Sequence, residues 1–203
     1  MTPVGALPQN IRDNYEIHEW RHASAILETD FPDEWRSMIQ ILSNFKLCHS
    51  HIVAGGGNVS QISQSLNNAF YADGWVEKQW DTQIVVDENI FQSPTHKVDC
   101  VRNRVAIELE WSNKDPFFDR DLNNFRLLFD LRAISVGVII TKSDELVELF
   151  KGISTPDGNT LYRKYGASTT WMGKLLPRIE GGGGGGCPIL VFGIKRSLYR
   201  SDL

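Results

Sequence analysis

No apolar run in the 203-residue chain approaches the roughly 20 residues that cross a bilayer as a helix, so no membrane span is expected. The N-terminus, M-T-P-V-G-A-L-P-Q-N, lacks a basic region followed by an apolar segment, and no export signal is expected there. Cysteine is scarce. Cys48, Cys100 and Cys187 are an odd, scattered set without C-x-x-C, which excludes a disulfide framework and points to a reduced, cytoplasmic setting. Cys48, His49 and His51 bring zinc-ligand types together, but no second ligand cluster completes the set. A phosphate-cradling loop is also missing: no G-K-[ST] closes the Gly181–Gly186 run, and Gly173-Lys174 is followed by Leu175.

A large excess of one charge is lacking too. The net charge of −4 argues against an indiscriminate nucleic-acid binder, but its distribution is uneven. From Thr160 to Leu203 there are 7 Lys and Arg against 2 Asp and Glu, a balance of +5 that leaves −9 on the rest. An acidic body with a basic C-terminal quarter is compatible with phosphate contacts from one side.

Hydrophobic residues make up 41% and charged residues 23%, the proportions of one globular domain with a full core. Residues 1–12 read as irregular and loosely held. Tyr15 to His22 alternates as a strand does, and Pro32-Asp33-Glu34 opens a helix with Trp35, Met38, Ile39 and Leu42 on one face. Asn58 or Ser60 caps a helix burying Ile62, Leu66, Ala69 and Phe70. Trp75 to Asp87 reads as a strand, followed by a loop. Asp115-Pro116 opens a helix whose stripe is Phe118, Leu122, Phe125 and Phe129, and Ile134–Thr141 is a nearly all-apolar central strand. Ser143 caps a short helix, 181–186 is a flexible glycine-rich connection, and Ile189–Ile194 is a last core strand. Strands interleaved with helices predict an α/β fold, a mixed sheet flanked by helices in a single domain spanning 1–203.

The chemistry is concentrated in V-D-C-V-R-N-R-V-A-I-E-L-E-W, Val98 to Trp111. Arg104 to Trp111 alternates as a half-buried strand, Val98–Val101 is a shorter one, and Arg102-Asn103 is the turn between them. That turn sets Asp99 opposite Ala106, on the face of Glu108 and Glu110. The other face carries Val98, Cys100, Val105, Ile107, Leu109 and Trp111. Three converging carboxylates repel one another unless a cation neutralises them, and a hard divalent ion such as Mg2+ suits oxygen ligands. The plain alternative is a solvated acidic face bridged to basic side chains, with Lys97 opposite Glu108.

The spacing D-x8-E-x-E of Asp99, Glu108 and Glu110 resembles the PD-(D/E)xK nuclease fold, with an acid in place of the usual Lys. More narrowly, D-C-V-R-N-R-V-A-I-E-L-E-W is similar to the BglII/BstYI type of type II restriction endonuclease. The resemblance continues through S-N-K-D-P-F, I-S-V-G-V-I-I-T and the terminal P-I-L-V-F-G-I. It departs at Glu110, where the family's namesakes carry Gln, and in the glycine run with the S-T-T-W-M-G-K-L segment before it.

The resemblance implies a restriction-endonuclease-like sheet and a homodimer hydrolysing double-stranded DNA at a short palindrome, with a GATC core. It implies a companion DNA methyltransferase in the same system. It also implies Mg2+ held by Asp99, Glu108 and the Leu109 carbonyl. Glu110 would orient or deprotonate the attacking water, or hold a second ion, and Lys97 is a nearby cation that partly replaces the missing Lys. Ser112 and Asn113 would reach the major groove, or else cap the next helix. Arg102, Arg104, Lys114, Lys174 and Arg178 would contact phosphates, and Thr169 and Thr170 would enter a groove. Two other readings compete: a repair-type metal-dependent nuclease, and a DNA-binding protein whose acidic face is inert.

Overall fold

The structure is a computed structural model that describes residues 7–54 and 60–202; Asn58, a candidate cap, lies outside them. The chain runs α1 (Gln9–Asn14), β1 (Tyr15–Trp20), α2 (Ala23–Asp30), α3 (Pro32–Asn44), β2 (Leu47–Cys48), α4 (His49–Val53) and α5 (Gln61–Ala72). It continues through β3 (Val76–Lys78), β4 (Gln83–Val86), β5 (Asn89–Gln92), β6 (Val98–Arg102), β7 (Val105–Leu109) and α6 (Phe117–Asp130). The remainder is β8 (Val136–Lys142), α7 (Leu146–Lys151), α8 (Leu161–Lys164), α9 (Met172–Glu180), β9 (Ile189–Ile194) and β10 (Tyr199–Arg200).

Among the described residues, six strands form one mixed sheet in the order β1-β9-β8-β7-β6-β3. β7, β8 and β9 are parallel, while β1, β6 and β3 pair antiparallel at the two sides. The expected α/β single-domain architecture follows from the helical crossovers that parallel strands require. Helices α1 to α5, α7 and α8 cover one face over Cys100, Ile107, Val138 and Phe192. Helices α6 and α9 cover the other over Val101, Ala106, Ile139 and Val191. With both faces roofed, all of β8 is buried, as its apolar sequence predicts. Ser60 caps α5, its hydroxyl accepting from the Ser63 N–H at 3.0 Å.

Two small residues set the distance from sheet to α6. Ala106 and Gly137 pair across β7 and β8. A Cβ at Gly137 would lie 2.4 Å from the Phe125 ring, so α6 comes this close only because that position has no side chain. Asp121 lies one turn before Phe125 and is thereby lowered onto the sheet.

Several expectations need correction. Of residues 1–12, those described are not irregular: Leu7 and Ile11 are buried and Gln9–Asn14 is helical. The Trp75–Asp87 strand is broken into β3 and β4, and the expected loop after it supplies β5. The resulting β4–β5 hairpin stands apart from the main sheet, with Ile84, Val85, Val86, Ile90 and Phe91 exposed. Ala69 is exposed, and in α6 Leu128 is the buried residue while Phe129 is half-buried. The glycine run is a packed turn. Gly182 has φ +86, and the Gly183 and Gly182 N–H groups donate to Arg178 O and Ile179 O, an end to α9 that a left-handed glycine permits. Gly184 is buried, and a Cβ there would meet Ile189 at 2.4 Å.

Candidate active site

The β6–β7 turn lies one residue later than expected. Arg102 pairs with Val105, Val101 with Ala106 and Cys100 with Ile107, leaving Asn103-Arg104 as the turn. Asn103 has φ +52, a left-handed conformation that Asn tolerates better than most residues. Continuing this ladder sets Asp99 against Glu108, not Ala106. The first strand gains Arg102 and the second gives up Arg104, so each residue's partner moves by two positions; the side-chain faces are preserved, and Asp99 comes closer to Glu108 than a diagonal pairing allows. Val98 departs from its expected face. It is buried beside Val101 and Ala106, where β6 pairs irregularly with β3.

Asp99 is half-buried, and its Oδ2 accepts the Leu109 N–H at 2.9 Å. The Asp99 N–H in turn donates to Glu108 Oε2 at 3.4 Å. Glu110 continues the line of β7, its N–H donating to Ile140 O at 2.9 Å. A half-buried strand was expected, yet Glu108 and Glu110 are each 1% exposed, because α6 lies over the acid face. That helix adds Asp121, fully buried, and Arg120, whose Nε and Nη2 donate to Asp121 Oδ1 at 2.9 and 2.8 Å. Arg120 Nη2 is also 3.5 Å from Glu110 Oε1. His96 completes the group: it, Glu108 and Asp121 each offer one ligand atom, all within 4.8 Å of one another.

The three buried carboxylates share one pattern. Glu108 Oε2 accepts from Asp99 N–H, Glu110 Oε1 from Asn113 Nδ2 at 3.1 Å, and Asp121 Oδ1 from Arg120. The opposite oxygens, Glu108 Oε1, Glu110 Oε2 and Asp121 Oδ2, are buried without a hydrogen-bond partner. Burial is the main cause that raises the Asp99, Asp121 and Glu108 carboxyls above their ordinary range, Glu108 well above it; neighbouring carboxylates add to the effect at Asp99 and Glu108, whereas Glu110 and Arg120 oppose it at Asp121. Burial followed by the charge of Asp121 pushes Glu110 up to about 9. Unpaired buried acceptors are costly, and a divalent cation bound by oxygen ligands is the partner such a group fits.

A family model described as "Restriction endonuclease BglII/BglIII" matches residues 15–194, nearly the whole chain. The chain belongs to the BglII/BglIII restriction endonuclease family. Membership makes it a site-specific deoxyribonuclease acting on DNA, and the covered mixed sheet is the restriction-endonuclease-like fold expected. No curated protein matches it. No helix among the described residues is long and apolar enough to cross a membrane.

Around the acids of this endonuclease, other expected residues fall in mixed positions. Lys97 is exposed and paired with Glu77 at 2.8 Å, not with Glu108; the cation beside the acids is Arg120. Ser112 and Lys114 are exposed and Asn113 is half-buried. This segment runs against 168–170: Lys114 bridges Thr169, and the Thr170 N–H donates to Asn113 O at 2.9 Å. Thr169 and Thr170 are 7% and 0% exposed, so their side chains do not enter a groove; they back the segment that carries Asn113. Arg104 is exposed. Arg102 is drawn to Glu34 and Asp73, at 3.4 and 3.3 Å, by helices that pack behind β6. Lys174 and Arg178 on α9 pair with Asp115 at 3.2 Å and Asp119 at 2.9 Å, which offsets the basic charge expected of this quarter.

Sequence reading missed Asp121, Arg120, His96 and Lys142. Asp121 stands three residues after Phe118 in the stripe that predicts α6's buried face, so an acid there was a readable signal. Lys142 is fully buried at the end of β8. Its Nζ donates to Trp111 O and lies 5.2, 5.8 and 4.9 Å from the ring centres of Trp111, Tyr165 and Trp171. Burial lowers its pKa well below the ordinary lysine value, while the charge of Glu110 acts in the opposite sense. The lysine pins the carbonyl from which the Ser112–Asn113 segment departs.

Proposed function

We propose that this endonuclease hydrolyses both strands of a short palindromic duplex, with a GATC core as the family resemblance implies, at the carboxylate cluster of β6, β7 and α6. Asp99, Glu108 and the Leu109 carbonyl would hold the divalent ion, Mg2+ in the cell. When bound, such an ion supplies a water of lowered pKa and offsets charge on the scissile phosphate. The remaining work falls to the chain. Glu110 orients the attacking water and takes its proton, and the water oxygen bonds to phosphorus as one P–O ester bond breaks. This leaves a phosphate monoester on one strand end and an alkoxide that takes a proton from solvent to become the hydroxyl of the other. Arg120, at the rim of the cluster, is placed to offset negative charge on the phosphate. Asn113 and Ser112 read base edges, Asn113 being suited to adenine, while Lys114 and Arg104 contact phosphates. The tied-down Arg102, Lys174 and Arg178 are left out of the interface.

The observation that carries this reading is the set of three buried carboxylate oxygens without partners, gathered beside Asp99. An inert acidic face would be solvated, not roofed by a helix at the cost of desolvating its charges. A homodimer matches the two-fold symmetry of a palindrome, and the β4–β5 hairpin offers apolar surface on both of its sides for a second copy. A methyltransferase in the same cytoplasm would protect the host's own sites.

Plasmid DNA incubated with the protein should give discrete fragments with one common overhang in Mg2+ and none in EDTA. Sedimentation under the same conditions should give the mass of two chains. Ragged, sequence-independent ends would favour the repair-type reading, and a gel shift without cutting would overturn the nuclease mechanism proposed here.

A further inference from the structure

The family pattern of Asp99, Glu108 and Glu110 contains neither His96 nor Asp121. These two residues each bring a ligand atom close to Glu108. Asp121 stands on the buried face of α6, and His96 sits on the segment entering β6. One ligand atom from each of the three lies within 4.8 Å of the others. Opposite ligands of a single cation stand about 4 Å apart, at roughly 2.1 Å each, so a small side-chain adjustment closes the set. Both carboxylates also hold an oxygen that is buried and without a hydrogen-bond partner, Glu108 Oε1 and Asp121 Oδ2, in residues 1% and 0% exposed. His96 is exposed, which gives an ion a path in from solvent. Its backbone is tied down by the Asn124 amide, which donates to His96 O at 3.4 Å.

We infer that His96, Asp121 and Glu108 form a second cation site that shares Glu108 with the first and takes a first-row transition-metal ion. The ligand set decides the class. Carboxylate and carbonyl oxygens alone suit Mg2+ or Ca2+, whereas an imidazole nitrogen adds affinity for the later divalent ions. An ion there also offsets the repulsion between the buried carboxylates of Glu108 and Asp121, which Arg120 reaches from one side only. The inference rests on the reading that Asp99 and Glu108 hold the first ion.

Mn2+ binding to the DNA-free protein tests it, with electron paramagnetic resonance counting bound ions and detecting nitrogen ligation. The wild type should show nitrogen coupling from an imidazole. His96→Gln, at an exposed position where folding is retained, should abolish that coupling and halve the Mn2+ bound at saturation; Asp121→Asn should do the same. Asp99→Asn should remove the other half and leave the nitrogen signal in place. Absence of nitrogen coupling in the wild type, or unchanged occupancy in His96→Gln, would overturn the second site. Unchanged occupancy in Asp99→Asn, with the nitrogen signal intact, would instead overturn the first-site reading on which it rests.

Discussion

Glu110 occupies the position at which the family resemblance leads one to expect Gln, and its surroundings explain why a neutral amide is tolerated there. Buried beside Asp121, its carboxyl is pushed up to about 9, so in the metal-free protein it keeps its proton at neutral pH, while an unfolded chain would release it near the ordinary value of 4.5. A group raised in the folded state contributes its stability fully below the unfolded value and loses it as pH rises toward the folded one. In EDTA, thermal stability should therefore fall between pH 4.5 and about 9. Glu110→Gln should flatten that fall and gain roughly 1 kcal/mol or more at the alkaline end. An equal slope in the variant would show that Glu110 does not carry the charge cost. Asp99, Glu108 and Glu110 were legible in the sequence because alternation puts the two glutamates on one face and a two-residue turn brings Asp99 to the same face. His96 was not, and of Asp121 only its place on the buried face of α6 was; that they meet the acids depends on where α6 and the segment before β6 come to rest.

The decisive element is α6, which makes an open acidic strand into an enclosed site. Its apolar stripe was readable, but its depth over the sheet was not: that depends on Ala106 and Gly137 lying side by side beneath Phe125. Gly137→Ala should cost about 1–3 kcal/mol by overpacking, measured by urea unfolding. Phe125→Leu in the same chain should recover part of the loss, because the ring is what the new methyl meets. A loss the double variant does not reduce would place the strain elsewhere. The β6–β7 hairpin teaches a related lesson. Its turn was placed one residue early, yet parity survived, because moving a two-residue turn by one residue shifts each cross-strand partner by two. The glycine run misled for the opposite reason. Composition reads as slack, whereas the backbone uses Gly182 for a left-handed turn and Gly184 for close packing.

At the scale of the molecule, the fold class was legible because the nearly all-apolar β8 and the apolar β9, with the helices between them, admit few arrangements other than a covered, largely parallel sheet. The basic C-terminal quarter was legible as charge but not as a surface, since Asp115 and Asp119 take up Lys174 and Arg178 across the α6–α9 contact. The β4–β5 hairpin was read as a strand and a loop, because nothing in its apolar sequence announces a turn at Asp87-Glu88 or the exposure of Ile84, Val85, Val86, Ile90 and Phe91. The whole arrangement brings the buried carboxylates to the C-terminal end of β7, beside the segment proposed to read bases. The claim that most depends on this geometry is that Glu108 serves cleavage and not the fold or the grip on DNA. Comparing the wild type with Glu108→Gln, for DNA cutting in Mg2+ and site-specific binding in Ca2+, tests it most directly. The account predicts that cutting is lost while binding is retained; residual cutting at the wild-type rate, or loss of binding together with cutting, would contradict it.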